Sequence, residues 1–189
     1  MPDRLTFEPL TPQRLEDAEA VFNDCGDASR CWCAYWYCSN ADYRAGWDSG
    51  NRAFFRKLVK RGPPPGLIAY AEGAPAAWCG VAPRRVFDRL NRSRSFAAVD
   101  DKDVWSVNCF IVAKKHRRQG LLRRLVRAAV EHARRQGAVA VEAYPVDRAA
   151  RRKPGSGDLF PGTLAAFLDE GFVEVARRAA TRPVVRKDL

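Results

Sequence analysis

The chain has 189 residues, of which 47% are hydrophobic and 11% aromatic, and it carries a formal net charge of +11 at pH 7. A composition this apolar argues against a disordered chain, and the length suits one domain with a real core. No apolar run approaches the ~18 residues that a membrane-spanning helix needs, and the first ten residues lack the basic-then-apolar order of a signal peptide. We therefore expect a cytoplasmic protein without membrane contact.

The positive charge raises the hypothesis of a nucleic-acid partner, because clustered lysines and arginines bind phosphates. The excess is mostly arginine, however, and it is spread along the chain, with its densest patches around residues 114–127 and 148–153. No nucleic-acid-binding motif is visible. We expect no nucleic acid partner, and we assign the charge to a polyanionic cofactor and to solvated surface. The two histidines, His116 and His132, are both predicted to lie on the surface.

The N-terminal part of the chain predicts a strand and a helix. Residues 4–10 are typical of a strand, and Thr11 and Pro12 are typical of a helix start, as N-cap and first helical residue. A segment of cysteines and large aromatic residues follows. Four of the six cysteines crowd into fourteen residues of this segment, at Cys25, Cys31, Cys33 and Cys38.

Three interpretations of the segment at residues 26–50 stay open. Four thiolates can hold zinc, but the spacing C-x5-C-x-C-x4-C lacks paired C-x2-C knuckles. Aromatic faces attract cationic amines and shape apolar pockets, so the segment could instead form a substrate wall. The third interpretation is packing of free cysteines and tryptophans in the core. The candidate substrate-binding residues are Trp32, Tyr35 and Trp36.

The middle of the chain predicts one helix and one hairpin. Residues 51–60 have helical spacing, and the run Arg61-Gly-Pro-Pro-Pro-Gly66 must end this helix, because proline cannot continue one. Two apolar strands are predicted at 67–71 and 76–81, joined by a turn with glycine and proline. Residues 83–96 are polar and rich in arginine, which predicts a loop or one short helical turn.

Residues 104–137 predict a strand, a basic turn and a helix. The apolar and β-branched run ends at Val112, the turn reads Lys114-Lys-His-Arg-Arg-Gln-Gly120, and Gly137 is placed to end the amphipathic helix. The first N–H groups of a helix lack intrahelical partners, and the helix dipole adds positive charge there. A basic turn with glycine at this point therefore favours phosphate binding. The alternative is a plain connection whose arginines face water.

Three motifs stand in order in the second half of the chain. The turn Arg117-Arg-Gln-Gly-Leu-Leu122 opens the helix, residues 139–144 form the next predicted strand, and residues 164–172 form a last helix that closes with Gly-Phe. Together they resemble the GNAT superfamily of acyl-CoA-dependent N-acyltransferases, whose pyrophosphate loop has the pattern Q/R-x-x-G-x-G/A. Leu122 departs from the final small residue of that pattern. The resemblance is specific over about residues 66–186.

The resemblance implies one GNAT domain over residues 1–189, an α/β fold with a mixed, mostly antiparallel central sheet flanked by about four helices. Residues 26–50 would lie on the acceptor side, and residues 104–137 would bind acetyl-CoA. The implied reaction moves an acetyl group from acetyl-CoA to a primary amine, on a small molecule or a peptide, by direct attack. A homodimer is common among such proteins. The alternatives are a non-catalytic acyl-CoA sensor and a cysteine-bound zinc module.

The implied cofactor-binding residues hold the pantetheine arm, the acetyl carbonyl and the pyrophosphate of acetyl-CoA. They are Phe110, Ile111, Val112, Arg117, Arg118, Gln119, Gly120, Leu121, Leu122 and Arg123.

Acetyl transfer needs an uncharged amine, whereas a free alkyl amine has a pKa of about 10, so the site must accept a proton. Glu142 is the leading candidate base, since an unpaired carboxylate in its apolar strand would be costly; a paired structural glutamate is the alternative. By resemblance, a tyrosine that protonates the departing thiolate would stand at position 167, where this chain has Phe167, which has no proton to give. Either Tyr144 substitutes for it, or the thiolate leaves without help. Asn108, near the expected acetyl group, completes the catalytic candidates. Cys109 beside it is interpreted as packing, not as a nucleophile.

Overall fold

A seven-stranded sheet forms the centre of the computed structural model, which describes residues 4–47, 49–150, 155 and 158–189. Its spatial order is β1-β2-β3-β4-β5-β7-β6, and all neighbouring strands are antiparallel except β4 and β5. This confirms the predicted mixed, mostly antiparallel sheet. The strands are Leu5–Pro9 (β1), Gly66–Ala71 (β2), Ala74–Pro83 (β3), Trp105–Val112 (β4), Ala140–Ala143 (β5), Val173–Ala176 (β6) and Val184–Asp188 (β7).

Seven α-helices lie in the described part of the chain, where about four were predicted. Four of them have only four to six residues, too short for a hydrophobic period to reveal. None of the helices within these described ranges is both long and apolar enough to cross a bilayer. The helices are Leu15–Asn23 (α1), Ala28–Cys31 (α2), Asn40–Ala45 (α3), Gly50–Arg61 (α4), Asp88–Arg92 (α5), Leu121–Arg135 (α6) and Leu164–Leu168 (α7).

The sheet carries a hydrophobic core on each face. Alternate residues of β3 contribute to different cores. Cys79 belongs to the core under α6 and α7, and Trp78 belongs to the core under α1 and α4. This alternation follows from the two-residue period of a strand. The cysteine-rich segment packs into the second core, and it contains α2, a 3-10 turn at Ala34–Trp36 and α3.

Helix α6 has the predicted apolar stripe, with the arginines on the opposite face. Leu125 and Ala129 are fully buried. The prediction that His132 lies on the surface was wrong, because it stands three residues after Ala129 and therefore on the buried face. Its ring is 4% exposed and meets Trp105 edge-on, with 5.7 Å between the ring centroids.

The ends of several elements differ from their predicted positions. Helix α1 starts at Leu15, because a 3-10 turn at Pro12–Arg14 precedes it, and the side chain of Thr11 makes no capping hydrogen bond. Short helical turns do occur within residues 83–96, at Arg84–Val86 and in α5. The basic patch at 148–153 and the loop after β5 fall partly on residues 151–154, 156 and 157, outside the described residues.

The parallel pairing of β4 with β5 is short. Only Trp105, Ser106 and Val107 pair with β5, although β4 continues to Val112. The register against β3 shifts at the same point, because Gly80 opposes Cys109 while Val81 opposes Val107. Asn108 is therefore the extra residue of a β-bulge, which bends the strand. The two strands lose their pairing beyond Val107 and leave room for another chain between them.

An ion pair joins α1 to α4. The carboxylate of Glu19, which is 7% exposed, accepts hydrogen bonds from Arg52 Nη2 at 2.6 Å and from Arg56 Nη2 at 2.9 Å. The hydrogen bonds from Arg56, reinforced by Arg52, lower the pKa of Glu19 to about 2. The charged form of this carboxylate therefore stabilises the packing of the two helices.

Replacing Glu19 with Gln is expected to lower the free energy of unfolding by about 1 kcal/mol at pH 7, since both arginines stay in contact with solvent and are screened. The folded pKa lies below the ordinary value of 4.5, so the contribution is present above that pH and is lost as the pH falls toward 2. Urea unfolding of both proteins at pH 7 and at lower pH measures this. A stability gap that does not change with pH would contradict it. Glu8→Gln is the control, because the carboxylate of Glu8 is more exposed than that of Glu19 and pairs with one arginine, Arg14.

Candidate functional site

The turn between β4 and α6 has the geometry of an anion site. Gly120 is the N-cap of α6 with φ 73°, and Arg118 is also left-handed, with φ 60°. A Cβ atom added at Gly120 would meet no atom within 4 Å, so the space beside the helix start is open. Lys114 and Lys115, earlier in the same turn, are exposed. The open N–H groups of a 15-residue helix and these cations together favour a phosphate ligand.

Several predicted binding side chains at this turn have partners in the protein. Arg117 donates from Nε to the carbonyl of Val112 at 3.0 Å, Gln119 donates to the carbonyl of Lys115 at 2.9 Å, and Arg123 forms an ion pair with Asp169. Arg118 is exposed, Leu122 is half-buried and Leu121 is buried. The turn therefore offers mainly its backbone and a few exposed cations to a ligand.

The far half of β4, which contains the predicted residues Phe110, Ile111 and Val112, faces a segment of the chain itself. The N–H of Phe110 donates to the carbonyl of Phe160 at 2.7 Å. On the other side of that segment, Val146 donates to the carbonyl of Gly162 at 2.9 Å. Residues 160–163 therefore lie between β4 and the chain that follows β5.

Glu142 is a paired carboxylate, and this pairing does not by itself decide between the two predicted roles of base and structural glutamate. It is 1% exposed, and its Oε1 accepts hydrogen bonds from Arg186 at 2.7 and 3.1 Å. Its Oε2 accepts one from the Tyr144 hydroxyl at 3.2 Å, and Arg84 Nε lies 3.8 Å away. Arg186 also pairs with Asp100. Because Arg186 stands 44 residues after Glu142 in sequence, the pairing could not be read from local pattern.

The hydroxyl of Tyr144 connects Glu142 to Ser106, whose Oγ lies 3.0 Å away. Burial, followed by the charge of Glu142, raises the pKa of Tyr144 well above its ordinary range, so the hydroxyl keeps its proton at neutral pH. The three side chains form a continuous path for a proton. Ser106 was not among the predicted site residues, because its only signal in the sequence is a small polar residue in an apolar strand.

A cavity of about 360 Å³ opens onto this path. Glu142 and Arg186 lie in its wall, together with the acidic turn at residues 100–103. The cavity therefore connects the Glu142 carboxylate, at one end of the path, to solvent.

Two buried N–H donors near the diverging strands find no hydrogen-bond partner in the part of the chain that the structure describes. Asn108 Nδ2 belongs to the bulge residue, which is 2% exposed, and Trp36 Nε1 belongs to a ring that is 1% exposed. A buried unpaired donor costs about 1–3 kcal/mol. Such groups are typical of a site that receives an oxygen atom from a ligand.

The three predicted substrate-wall residues have different surroundings. Trp32 is 1% exposed and stacks on Phe22, with 5.0 Å between the ring centroids, which is the position of a core residue. Trp36 lies beside Tyr144 and Phe160 instead, at centroid distances of 6.3 and 6.0 Å. Tyr35 is half-buried, with its ring 5.7 Å from that of Phe160. The structure thus brings Tyr35 and Trp36, but not Trp32, next to residues 160–163.

The four clustered cysteines do not converge on one point. Cys25 Sγ lies 3.3 Å from the carbonyl of Val112, whereas Cys33 Sγ lies 3.1 Å from Cys109 Sγ. Within the described ranges, no group of three or more His, Cys, Asp or Glu side chains is placed to hold a metal ion. The contact with Cys33, followed by burial, raises the pKa of Cys109 well above its ordinary value, so it is a weak nucleophile.

Comparisons with known proteins agree with this geometry. The model of the acetyltransferase (GNAT) family matches residues 13–152. No curated protein sequence matches the chain. Among solved structures, the PaiA N-acetyltransferase of Thermoplasma acidophilum in complex with coenzyme A is 11% identical, with a TM-score of 0.54 over 98% of this chain and 99% of that one.

Two further solved structures share the fold. YncA, a putative acetyltransferase of Salmonella typhimurium with acetyl-CoA bound, is 15% identical, with a TM-score of 0.55 over 98% of this chain and 94% of its own. The ribosomal-protein-S18-alanine N-acetyltransferase of Escherichia coli is 13% identical, with a TM-score of 0.51 over 97% and 91%. At these identities the structures are evidence for the fold alone.

The buried pair of Glu142 and Arg186 is expected to be strongly coupled. Arg186→Met leaves the carboxylate with Arg84 as its nearest cation and should lower the free energy of unfolding by about 3–5 kcal/mol. Adding Glu142→Leu removes the stranded charge and should recover most of that loss. Urea unfolding of the two single variants and the double variant measures the coupling. Equal stability of Arg186→Met and the double variant would contradict it. Asp100→Asn, at the exposed end, should cost far less.

Proposed function

Because the chain belongs to the GNAT family of acetyltransferases, we propose that it transfers an acetyl group from acetyl-CoA to a primary amine by direct attack. The observation that supports this best is the unit formed by β4, the turn at Gly120 and α6. Here a strand loses its neighbour after Val107 and runs into an open, basic helix N-terminus. Such a unit offers one site for an amide-bearing arm and one for a diphosphate.

The donor-binding residues follow from that geometry. The backbone N–H groups around Gly120 bind the diphosphate, with exposed Arg118 supplying charge. The main chain of residues 110–112 lies beside the pantetheine arm. The N–H of Phe110, once released from the Phe160 carbonyl, and the unpartnered Nδ2 of Asn108 stabilise the oxyanion of the tetrahedral intermediate.

The proton path assigns roles to Tyr144 and Glu142. The bound ammonium first gives one proton to the Tyr144 hydroxyl while that hydroxyl gives its own proton to Glu142, which releases it at the 360 Å³ cavity. The neutral amine then attacks the thioester carbonyl. As the carbon–sulfur bond breaks, the Tyr144 hydroxyl gives its proton to the departing thiolate and takes the second proton that the nitrogen loses, so it ends protonated. Phe167, at the position where related enzymes have a tyrosine, is fully buried against Phe110 and Phe172 and takes no part.

The acceptor class within this reaction is a primary amine on a small molecule or a peptide. We place the reaction in the cytoplasm, where acetyl-CoA is available and the six free cysteines stay reduced. A homodimer remains a prediction from the resemblance.

Replacing Gly120 with Glu puts bulk and negative charge against the diphosphate. The dissociation constant for coenzyme A, measured by calorimetry, should rise at least about tenfold. Gly137→Glu is the matched control, since Gly137 also has a positive φ and open space for a Cβ but stands at the other end of α6. Circular dichroism checks that both variants fold. Equal losses in the two variants would contradict the assignment of the diphosphate to Gly120.

Tyr144→Phe removes the central hydroxyl of the proton path and should lower kcat about a hundredfold with little change in coenzyme A binding. Glu142→Gln should lower the rate and remove the acidic limb of the pH–rate profile. The assay measures thiol release from acetyl-CoA in the presence of amines. A Glu142→Gln variant with an unchanged pH profile would exclude this carboxylate as the base.

A further inference from the structure

The gap between β4 and the chain after β5 is filled by residues 160–163, here called the plug. The plug is hydrogen-bonded on both sides, because the Phe160 carbonyl accepts from Phe110 at 2.7 Å and the Gly162 carbonyl accepts from Val146 at 2.9 Å. It continues directly into α7, where Leu164 donates to the carbonyl of Val146 at 2.9 Å. The plug therefore takes the place of an extended, amide-bearing chain beside β4.

The plug leaves no room for a second chain. A Cβ atom added at Gly162 would lie 3.0 Å from the ring of Phe167, 3.2 Å from the ring of Phe110 and 3.5 Å from Leu122. Pro161 and Gly162 are both buried. An acyl donor and the plug cannot occupy this position together.

Besides these hydrogen bonds, the aromatic ring of Phe160 holds the plug in place. Phe160 is half-buried, and its ring meets Tyr35 at 5.7 Å and Trp36 at 6.0 Å between centroids. Beneath it, the indole N–H of Trp36 is buried without a partner among the described residues. The contacts that hold the plug therefore cover two groups, the Phe110 N–H and the Trp36 ring, that a substrate complex would use.

We propose that the plug is an autoinhibitory contact that the acyl donor displaces. This inference rests on the proposed function. On displacement, the Phe110 N–H exchanges the Phe160 carbonyl for the carbonyl oxygen of the thioester. The Phe160 ring leaves Tyr35 and Trp36 in the same movement, which uncovers the aromatic side of the site for the amine. Donor binding thereby builds the acceptor pocket, so the donor binds first.

The test is the affinity for coenzyme A, measured by calorimetry. The apparent dissociation constant equals the intrinsic constant divided by the fraction of molecules with the plug open. Phe160→Ala removes the ring anchor, so it should tighten binding at least about fivefold. Phe54→Ala is the matched control: it truncates a half-buried ring on α4 that contacts Tyr37, and it should leave the dissociation constant unchanged.

A second variant disfavours the plug by adding bulk instead of removing it. Gly162→Ala adds a methyl group against Phe167 and Phe110 at a residue with φ 80°, so it also disfavours the plugged state and should tighten binding. In stopped-flow mixing, the observed binding rate of the wild type should level off at the rate of plug opening as coenzyme A rises. Phe160→Ala should raise or remove that plateau.

Each result decides the proposal. Tighter coenzyme A binding in either variant supports an autoinhibitory role for the plug. Binding by the variants alone, with none by the wild type, also supports it. Binding by the wild type with equal or weaker binding in both variants overturns the plug and leaves the proposed function standing. Absence of coenzyme A binding in the wild type and in both variants overturns both.

Discussion

Three residue pairs join β4 to β5, and the place where this pairing stops determines the rest of the site. Buried main-chain N–H groups must be satisfied, so a strand that loses its neighbour at Val107 needs another partner. The bulge at Asn108 falls at the point of separation, and its extra residue bends β4 there. In this structure the Phe160 carbonyl meets that need for Phe110. In the proposed complex, the acyl donor meets the same need with the same geometry.

Buried charge sets the protonation of the hydrogen-bonded chain formed by Ser106, Tyr144 and Glu142. Glu142 receives two hydrogen bonds from Arg186 and has Arg84 nearby, so its charge is compensated where water is scarce. That negative charge, added to burial, keeps the proton on Tyr144. The cavity beside Glu142 then gives this buried cluster its contact with solvent. In the proposed reaction, the same surroundings that stabilise the fold supply a protonated hydroxyl for proton transfer.

The positive charge near the turn and along α6 is partly neutralised by ion pairs. Arg123 and Arg127 on α6 pair with Asp169 and Glu170, which follow α7 in sequence and lie beside α6 in space. Arg117 is directed at the Val112 carbonyl. Arg118, Lys114 and Lys115 add exposed charge at the turn, and Arg117 is exposed as well, although its Nε is bonded to the Val112 carbonyl. The proposed anion site therefore draws on backbone groups as well as on these cations.

The sequence by itself determined the elements whose signals are contiguous: the hairpin of β2 and β3, the strand β4, the glycine turn and the amphipathic helix α6. Their period or turn chemistry is written in neighbouring residues, and so is the family resemblance. Only the tertiary structure decided which groups meet across the chain. The partner of Glu142 stands 44 residues away and that of Cys33 stands 76 residues away. The carbonyl that accepts a hydrogen bond from the Phe110 N–H belongs to Phe160, in a loop beyond β5. Long-range packing, which local sequence patterns do not encode, brings these atoms together.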